Sequence, residues 1–296
     1  MPAYGATLEV LRLGPNLLGF YDGRIPGVRL YSEQPNWLDD GAFALGICTY
    51  AVIDGADALV YDPHISVPHA RIIRRTLEDL GARHMRLVLS HWHDDHVAGT
   101  EVFADCEIIA NRDTAEILAA HKDALESGDP PIKPLILPNS LFSGTLELMV
   151  GQIPVQLRQL DIHSRDGTVA LLPGGVVLAG DTLEDPITYV DEADRLAIHL
   201  RDLDRMAGWD ISTILPNHGS KAQILAGGYP PAFIKATRLY VEKLLRLASE
   251  PELAAQDLST FAAEALATGA ITYFEPYEAV HRHNVERVMQ VAAQAS

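Results

Sequence analysis

Residues 91–96 read His91-Trp92-His93-Asp94-Asp95-His96 and directly follow a short apolar strand predicted at about 85–90. Imidazole nitrogens and carboxylate oxygens are ligands that divalent metals such as zinc bind at about 2.0–2.2 Å. In an extended chain residues i and i+2 point to the same side, so His91 and His93 can bind one metal from a strand end. A turn just afterwards can direct Asp95 and His96 toward a neighbouring position. The segment therefore predicts a metal site at the end of a strand.

Three later strand ends carry residues of the same types. Asp161 and His163 follow a strand predicted at about 153–160, Asp181 follows 176–179, and His218 follows 211–215. Catalytic groups in layered α/β folds gather at the carboxyl ends of strands, which favours a shared site. Taken singly, each of these residues is equally explained as a turn or cap residue.

Strands and helices alternate along the chain, which is typical of an α/β layered fold. A hairpin is predicted over about 42–62, with its turn at 54–57. Pro68 begins a helix that Gly81 ends, because proline suits the first helical turn and glycine the end. Further helices are predicted at about 114–126, 193–206 and after 231, and further strands at 145–150 and 168–172.

The motif and the strand-end residues resemble the metallo-β-lactamase superfamily over about residues 43–220. Its ligand order, His-x-His-x-Asp-His, then His, Asp and His, falls on seven residues: His91, His93, Asp95, His96, His163, Asp181 and His218. The resemblance implies an α/β fold, a four-layer αββα sandwich with a C-terminal helical extension. We expect residues 1–230 to form the catalytic domain and 231–296 to form that extension, packed on the same domain.

The resemblance also implies a role for each of these residues. One metal would be held by His91, His93 and His163, and the other by Asp95, His96 and His218. Asp181 would bridge the two metals. Asp62, at the end of the second hairpin strand, would orient a ligand histidine.

The roles of one residue, His64, and of one proline-rich stretch stay open. His64 stands two residues after Asp62, where the family usually has glycine, and a lone extra histidine is predicted to be structural or on the surface rather than in the site. The proline-rich stretch at about 127–142 is interpreted as a surface crossover, with a lid over the site as the alternative.

The function implied by the resemblance is a dinuclear metal-dependent hydrolase of the lactonase or glyoxalase II-like branch. A hydroxide bridging the metals would attack a carbonyl, with Asp95 as the catalytic residue that transfers the proton. Two zinc ions are expected because imidazole-rich sites suit zinc, while manganese, cobalt and iron stay open. The substrate would be a small ester, lactone, thioester or amide-like molecule. Lactones and esters are favoured because five apolar or aromatic residues can line a pocket: Tyr21, Ile25, Tyr31, Trp37 and Trp92.

Two alternative functions from other protein classes stay open. One is an oxygenase similar to persulfide dioxygenases, which keeps much of this ligand set but uses a single iron. The other is a non-catalytic binding scaffold, which is disfavoured because a site without chemistry has no physical need for seven converging ligands. The number and identity of the bound metals discriminate among the three.

The amino-acid composition limits the classes of partner that the protein can bind. The 296 residues include 23 Lys and Arg against 40 Asp and Glu, a formal charge of −17, which disfavours nucleic acid and anionic membranes as partners. Two cysteines cannot form a disulfide framework. Residues 1–9 lack the basic start and apolar run of a secretory signal, so a cytoplasmic location is expected. We also expect a small-molecule substrate and a homodimer.

Overall fold

The computed structural model describes residues 1–294, which form two mixed β-sheets with helices on their outer faces. The first sheet has seven strands in sequential order: β1 Glu9–Arg12, β2 Leu17–Asp22, β3 Ile47–Asp54, β4 Asp57–Tyr61, β5 His84–Val88, β6 Glu107–Asn111 and β7 Ser140–Phe142. Strands β1 to β4 pair antiparallel, and β4 to β7 pair parallel.

The second sheet has five strands in the order β12-β11-β10-β9-β8. Their bounds are β8 Thr145–Val150, β9 Ile153–Ile162, β10 Ser164–Leu172, β11 Val176–Gly180 and β12 Thr213–Pro216. Only the β11–β12 pair is parallel within this sheet, so the carboxyl ends of both strands meet at one edge.

The helices are α1 Val67–Asp79, α2 Asp94–Val97, α3 Arg112–Glu126, α4 Leu196–Ala207, α5 Lys221–Leu225, α6 Ala232–Arg246, α7 Leu258–Phe261, α8 Ala263–Leu266 and α9 Tyr277–Gln294. A π-helical segment spans Trp37–Phe43. Local sequence explains two of the starts, since the side chains of Ser66 and Asn111 accept main-chain hydrogen bonds at the N-termini of α1 and α3. Among residues 1–294, no helix combines the length and apolarity needed to cross a bilayer.

The core explains why the elements stack in layers. Inward-facing residues of both sheets, such as Tyr50 and Leu157, lie in one buried apolar cluster. Ile73 of α1 and Leu118 of α3 pack in a second cluster against the outer face of the first sheet. Residues of α4, α6 and α9 join the first cluster from the other side of the second sheet. The predicted α/β sandwich is confirmed.

The N-terminal strands β1 and β2 and the short strands β6 and β7 were not expected from the sequence. Each is brief, and the apolar run Ile108-Ile109-Ala110 in β6 carries no periodicity that separates a buried strand from a helix. The helical tail is also interrupted, because residues 267–276 between α8 and α9 are irregular.

The proline-rich stretch at 127–142 connects α3 to β7, so it joins neighbours of the first sheet instead of crossing between the two halves. Its apolar residues Ile132 and Leu135 are buried in the core beneath that sheet. Trp37 donates a hydrogen bond from Nε1 to the Pro130 carbonyl at 2.9 Å. These contacts fix the segment against the body of the protein.

Candidate metal centre

Three imidazoles converge at the carboxyl end of β5 and the β9–β10 turn. His91 Nε2 lies 3.0 Å from His93 Nδ1, and His163 Nε2 lies 2.9 Å from His93 Nδ1 and 3.2 Å from His91 Nε2. His91 and His163 are buried, and His93 is partly exposed. Three ring nitrogens at this separation repel one another unless a proton or a cation lies between them.

A second group lies beside the first and consists of Asp95, His96, Asp181 and His218. His96 and Asp95 belong to the single turn of α2, Asp181 follows β11, and His218 follows β12. His218 Nε2 lies 3.1 Å from Asp95 Oδ2. The parallel β11–β12 pairing explains why Asp181 and His218 meet, since both follow carboxyl ends of neighbouring strands.

Asp181 stands between the two groups. Its Oδ2 lies 3.6 Å from His91 Nε2 and 3.8 Å from His163 Nε2 in the first group. The same oxygen lies 3.0 Å from His96 Nε2 and 3.5 Å from His218 Nε2 in the second group. One carboxylate oxygen is therefore within reach of ligand atoms from both sides.

Outer contacts determine which nitrogen of each histidine faces inward. The acceptors are the Tyr189 carbonyl for His163 Nδ1 and the Gly46 carbonyl for His218 Nδ1, both at 2.9 Å. His96 Nδ1 donates to Asp62 Oδ2, also at 2.9 Å. Because carbonyls and carboxylates only accept, these Nδ1 atoms carry a proton, and Nε2 is the nitrogen of each ring that can offer a lone pair to a cation at the centre.

The charges of the centre are strongly coupled. Burial opposes ionisation of Asp181, yet the neighbouring histidines, His96 above all, lower its pKa to about 2. Burial likewise disfavours protonated His218, but Asp181 and Asp95 raise its pKa to about 9. For His91, burial and the adjacent imidazoles push the pKa well below its usual value. Two ionised carboxylates thus face imidazoles that supply lone pairs or bind protons.

The donor set fits divalent cations. Asp181 Oδ1 is buried and has no hydrogen-bond partner among residues 1–294, and buried His96 Nε2 has only ion-pair contacts, the shorter with Asp181 Oδ2 at 3.0 Å. Buried polar atoms without partners are costly, which is expected where an ion completes the site. Two compact groups of three and four ligand atoms, rich in imidazole, match the preferences of zinc and related metals.

Glu184 is a buried residue of the site that the sequence analysis missed. Its Oε1 lies 3.4 Å from His163 Nδ1, on the side of the ring away from the other histidines. The same carboxylate accepts hydrogen bonds from Tyr189 N at 2.7 Å and Tyr277 Oη at 3.0 Å. It follows Asp181 by three residues in a loop with no metal motif, so only the tertiary contact reveals it.

His64 is buried and lies outside both ligand groups, so the structure excludes the surface interpretation. Its ring stacks on His69 at 4.6 Å between centroids, and its Nδ1 accepts a hydrogen bond from Ile65 N. His69 in turn is held by Asp22 at 2.9 Å. Through these contacts the ring of His64 packs among buried neighbours.

A cavity of about 360 Å³ opens over the two ligand groups. Trp37 and Trp92 line it, as the sequence predicted, together with Tyr189 and Val280. The other three aromatic or apolar residues expected there lie elsewhere. Tyr21 is buried in the core, Ile25 lines a separate cavity, and Tyr31 hydrogen-bonds to Asp129.

Comparison with solved structures identifies the fold. The crystal structure of the DIM-1 metallo-β-lactamase matches with a TM-score of 0.58 at 19% identity, covering 79% of this chain and 96% of that chain. VMB-1 matches with a TM-score of 0.57 at 15% identity, covering 90% and 100%. A metallo-β-lactamase from Pontibacter korlensis matches with a TM-score of 0.55 at 14% identity, covering 74% and 98%.

Neither the protein-family models nor the curated protein sequences give a match to this chain. The structural matches nevertheless show that the chain has the metallo-β-lactamase fold, with two mixed sheets, flanking helices and a C-terminal helix. Its His and Asp clusters are consistent with metal binding.

Proposed function

We propose that the protein is a dinuclear metal-dependent hydrolase of small esters or lactones. The observation that carries the proposal is Asp181 Oδ2, which lies within 3.8 Å of His91 and His163 on one side and of His96 and His218 on the other. A mononuclear iron site has no use for a second complete group of ligands. The second group therefore favours the hydrolase over the oxygenase.

In this proposal His91, His93 and His163 would hold one cation, Asp95, His96 and His218 would hold the other, and Asp181 lies within reach of both groups. Two divalent cations, most simply zinc, would supply an acidified water and a Lewis acid for the substrate carbonyl. The buried, closely spaced donors and the Nδ1 contacts that aim each Nε2 inward support this assignment.

Asp95 is positioned to transfer the proton. Although burial opposes its ionisation, His96 and His218 hold the pKa of Asp95 well below its usual value, so it is a carboxylate at neutral pH. It lines the cavity directly, where its carboxylate can accept the proton of the attacking water and return it to the leaving oxygen. His218 Nε2 lies 3.1 Å from the same carboxylate, which places both side chains within reach of one cation.

We also propose that the substrate is a small molecule. The homodimer and the cytoplasmic location stay predictions. The cavity volume of about 360 Å³ supports a small substrate. Residues 231–296 are proposed as an extension of the same domain, since Phe233, Tyr240 and Tyr277 belong to the core that both sheets share.

The test is the metal content of protein purified without chelator, followed by hydrolysis assays. We expect close to two zinc, manganese or cobalt ions per chain and chelator-sensitive release of acid from esters or lactones. One iron per chain together with oxygen consumption would establish the oxygenase instead. Protein that takes up no metal even with added zinc would leave only the binding scaffold.

A further inference from the structure

Outside the candidate metal centre, the walls of the cavity above it carry acidic side chains and no Lys or Arg. Besides the candidate ligands Asp95 and Asp181 and the buried Glu184, three acidic residues line it: Asp40, Asp94 and Asp191. Among the described residues that line this cavity, none is Lys or Arg. Lys221, the basic residue nearest to His218 in sequence, instead donates a hydrogen bond to Glu9 at 2.6 Å on the surface. A substrate carboxylate therefore finds no cationic side chain on these walls.

Asp191 is the acidic residue whose charge bears most directly on the cavity. It ends the loop between β11 and α4, and its side chain is 36% exposed, with Oδ2 3.9 Å from His93 Nε2. Arg287 donates to the main-chain carbonyl of Asp191 at 3.2 Å. Asp40 differs, because Arg29 binds its carboxylate through two nitrogens at 2.6 and 3.0 Å. The charge of Asp40 is thus compensated by a bonded partner. Within residues 1–294 no Lys or Arg hydrogen-bonds to the Asp191 carboxylate, although His93 and, more weakly, Arg287 lower its pKa.

The remaining walls are apolar. Trp37 and Leu45 come from the π-helical segment and the turn before β3, and Trp92 comes from the ligand motif. Ala279 and Val280 lie in the first turn of α9 and complete the apolar walls. These surfaces suit an uncharged hydrocarbon group beside the reacting carbonyl, since burial of apolar area is favourable without any charge partner.

We propose that the cavity selects substrates whose acyl group carries no negative charge and that Asp191 is the specificity-determining residue. The inference rests on the proposed hydrolase function and names its substrate class: uncharged, apolar esters or lactones rather than carboxylate-bearing ones. A carboxylate about 8 Å from an anionic substrate group disfavours it by roughly tenfold in a partly screened protein site.

The experiment compares two esters that differ only at the far end of the acyl chain. These are p-nitrophenyl hexanoate, which ends in a methyl group, and the mono-p-nitrophenyl ester of adipic acid, which ends in a carboxylate. The kcat/KM of the metal-loaded protein is measured for both and divided by the hydroxide-catalysed rate of each ester. We expect a preference of about tenfold or more for the uncharged ester.

Asp191→Asn should lower this preference by about fivefold, whatever it does to the absolute rates through its contact with His93. Glu116→Gln is the matched control, because Glu116 is exposed on α3 outside the cavity lining and its loss changes the net charge equally. A preference near one, or one that Asp191→Asn leaves unchanged, would overturn the selectivity while the hydrolase stands. Absence of hydrolysis of both esters by metal-loaded protein would overturn both proposals.

Discussion

Asp62 Oδ2 accepts a hydrogen bond from His96 Nδ1 at 2.9 Å, and this contact directs Nε2 of His96 toward the candidate metal centre. The same carboxylate accepts hydrogen bonds from Ser90 N and Asn217 Nδ2, both at 2.7 Å. Asp62 therefore connects β4 to the segments that follow β5 and β12, three of the strand ends from which the site is built.

Asp62→Asn should weaken metal binding by about 10–100-fold. The new amide group would face the Asn217 amide and the N–H of His96, so His96 would favour the tautomer whose proton blocks Nε2. Metal affinity is measured by competition with a chelator of known strength. Asp22→Asn is the matched control, because Asp22 binds buried His69 at the same 2.9 Å outside both ligand groups. Equal metal affinity in Asp62→Asn and the unaltered protein would remove Asp62 from the site.

Asp181→Ala should remove most of the activity and much of the bound metal. The substitution deletes the carboxylate oxygen that reaches ligand atoms of both groups, and it leaves Asp95 as the remaining carboxylate among the candidate ligands. Elemental analysis and a hydrolysis assay on the same sample give the answer. In the control Asp161→Asn, a carboxylate that pairs with Arg195 is lost near His163 without removing a ligand. Full activity with both metals retained in Asp181→Ala would refute the bridging assignment.

Local sequence placed the candidate ligands at strand ends, and the rule that strand ends gather at one edge favoured a shared site. The choice of these seven residues as one ligand set came from the resemblance to the metallo-β-lactamase superfamily. Glu184 was not accessible in this way, since its contact with His163 depends on how the loop after Asp181 folds back. The same limit applies to β6 and β7, whose short apolar runs acquire their identity only from parallel pairing with β5.

Metal should stabilise the protein more as the pH rises. His218 has a folded-state pKa of about 9, above its usual 6.5, so its stabilising contribution to the metal-free protein is full below pH 6.5 and is lost as the pH rises through 9. Asp181, at about 2 against 3.8, contributes fully above pH 3.8 and loses this contribution as the pH falls through 2.

The metal-free protein should therefore lose thermal stability between about pH 6.5 and 9, whereas zinc, which competes with the proton on His218, should raise the unfolding temperature increasingly over that range. Thermal unfolding with and without zinc at several pH values measures the difference. An increment due to zinc that shrinks with rising pH would contradict protonation of His218 in the metal-free state.

His64 should matter for stability and little for catalysis. Its φ of +69° lies in the left-handed region, where glycine is favoured, and its ring is buried against His69. His64→Ala should lose the stacking contact and keep the backbone strain, while His64→Gly should relieve about 1 kcal/mol of that strain. The Gly variant should thus unfold at a higher temperature than the Ala variant, with kcat/KM of both close to the unaltered protein. A hundredfold loss of kcat/KM would place His64 in the site.

The C-terminal extension should be required for a stable metal centre. Asn284 of α9 accepts a hydrogen bond from Val190 N at 2.8 Å and donates one to the Thr188 carbonyl at 2.9 Å. These bonds fix the loop whose Tyr189 carbonyl orients His163. Asn284→Ala leaves two buried main-chain groups without partners, which costs about 2 kcal/mol or more and loosens the loop.

We expect Asn284→Ala to lower the unfolding temperature and to release metal to a chelator faster than the unaltered protein does. Arg282→Ala is the control, since Arg282 is exposed on the same helix. Deletion of residues 231–296 should give insoluble protein, because it strips buried residues such as Phe233 and Tyr240 from the core shared by both sheets. If the truncated protein is soluble and binds metal with unchanged affinity, residues 231–296 form a separate unit and the extension does not support the site.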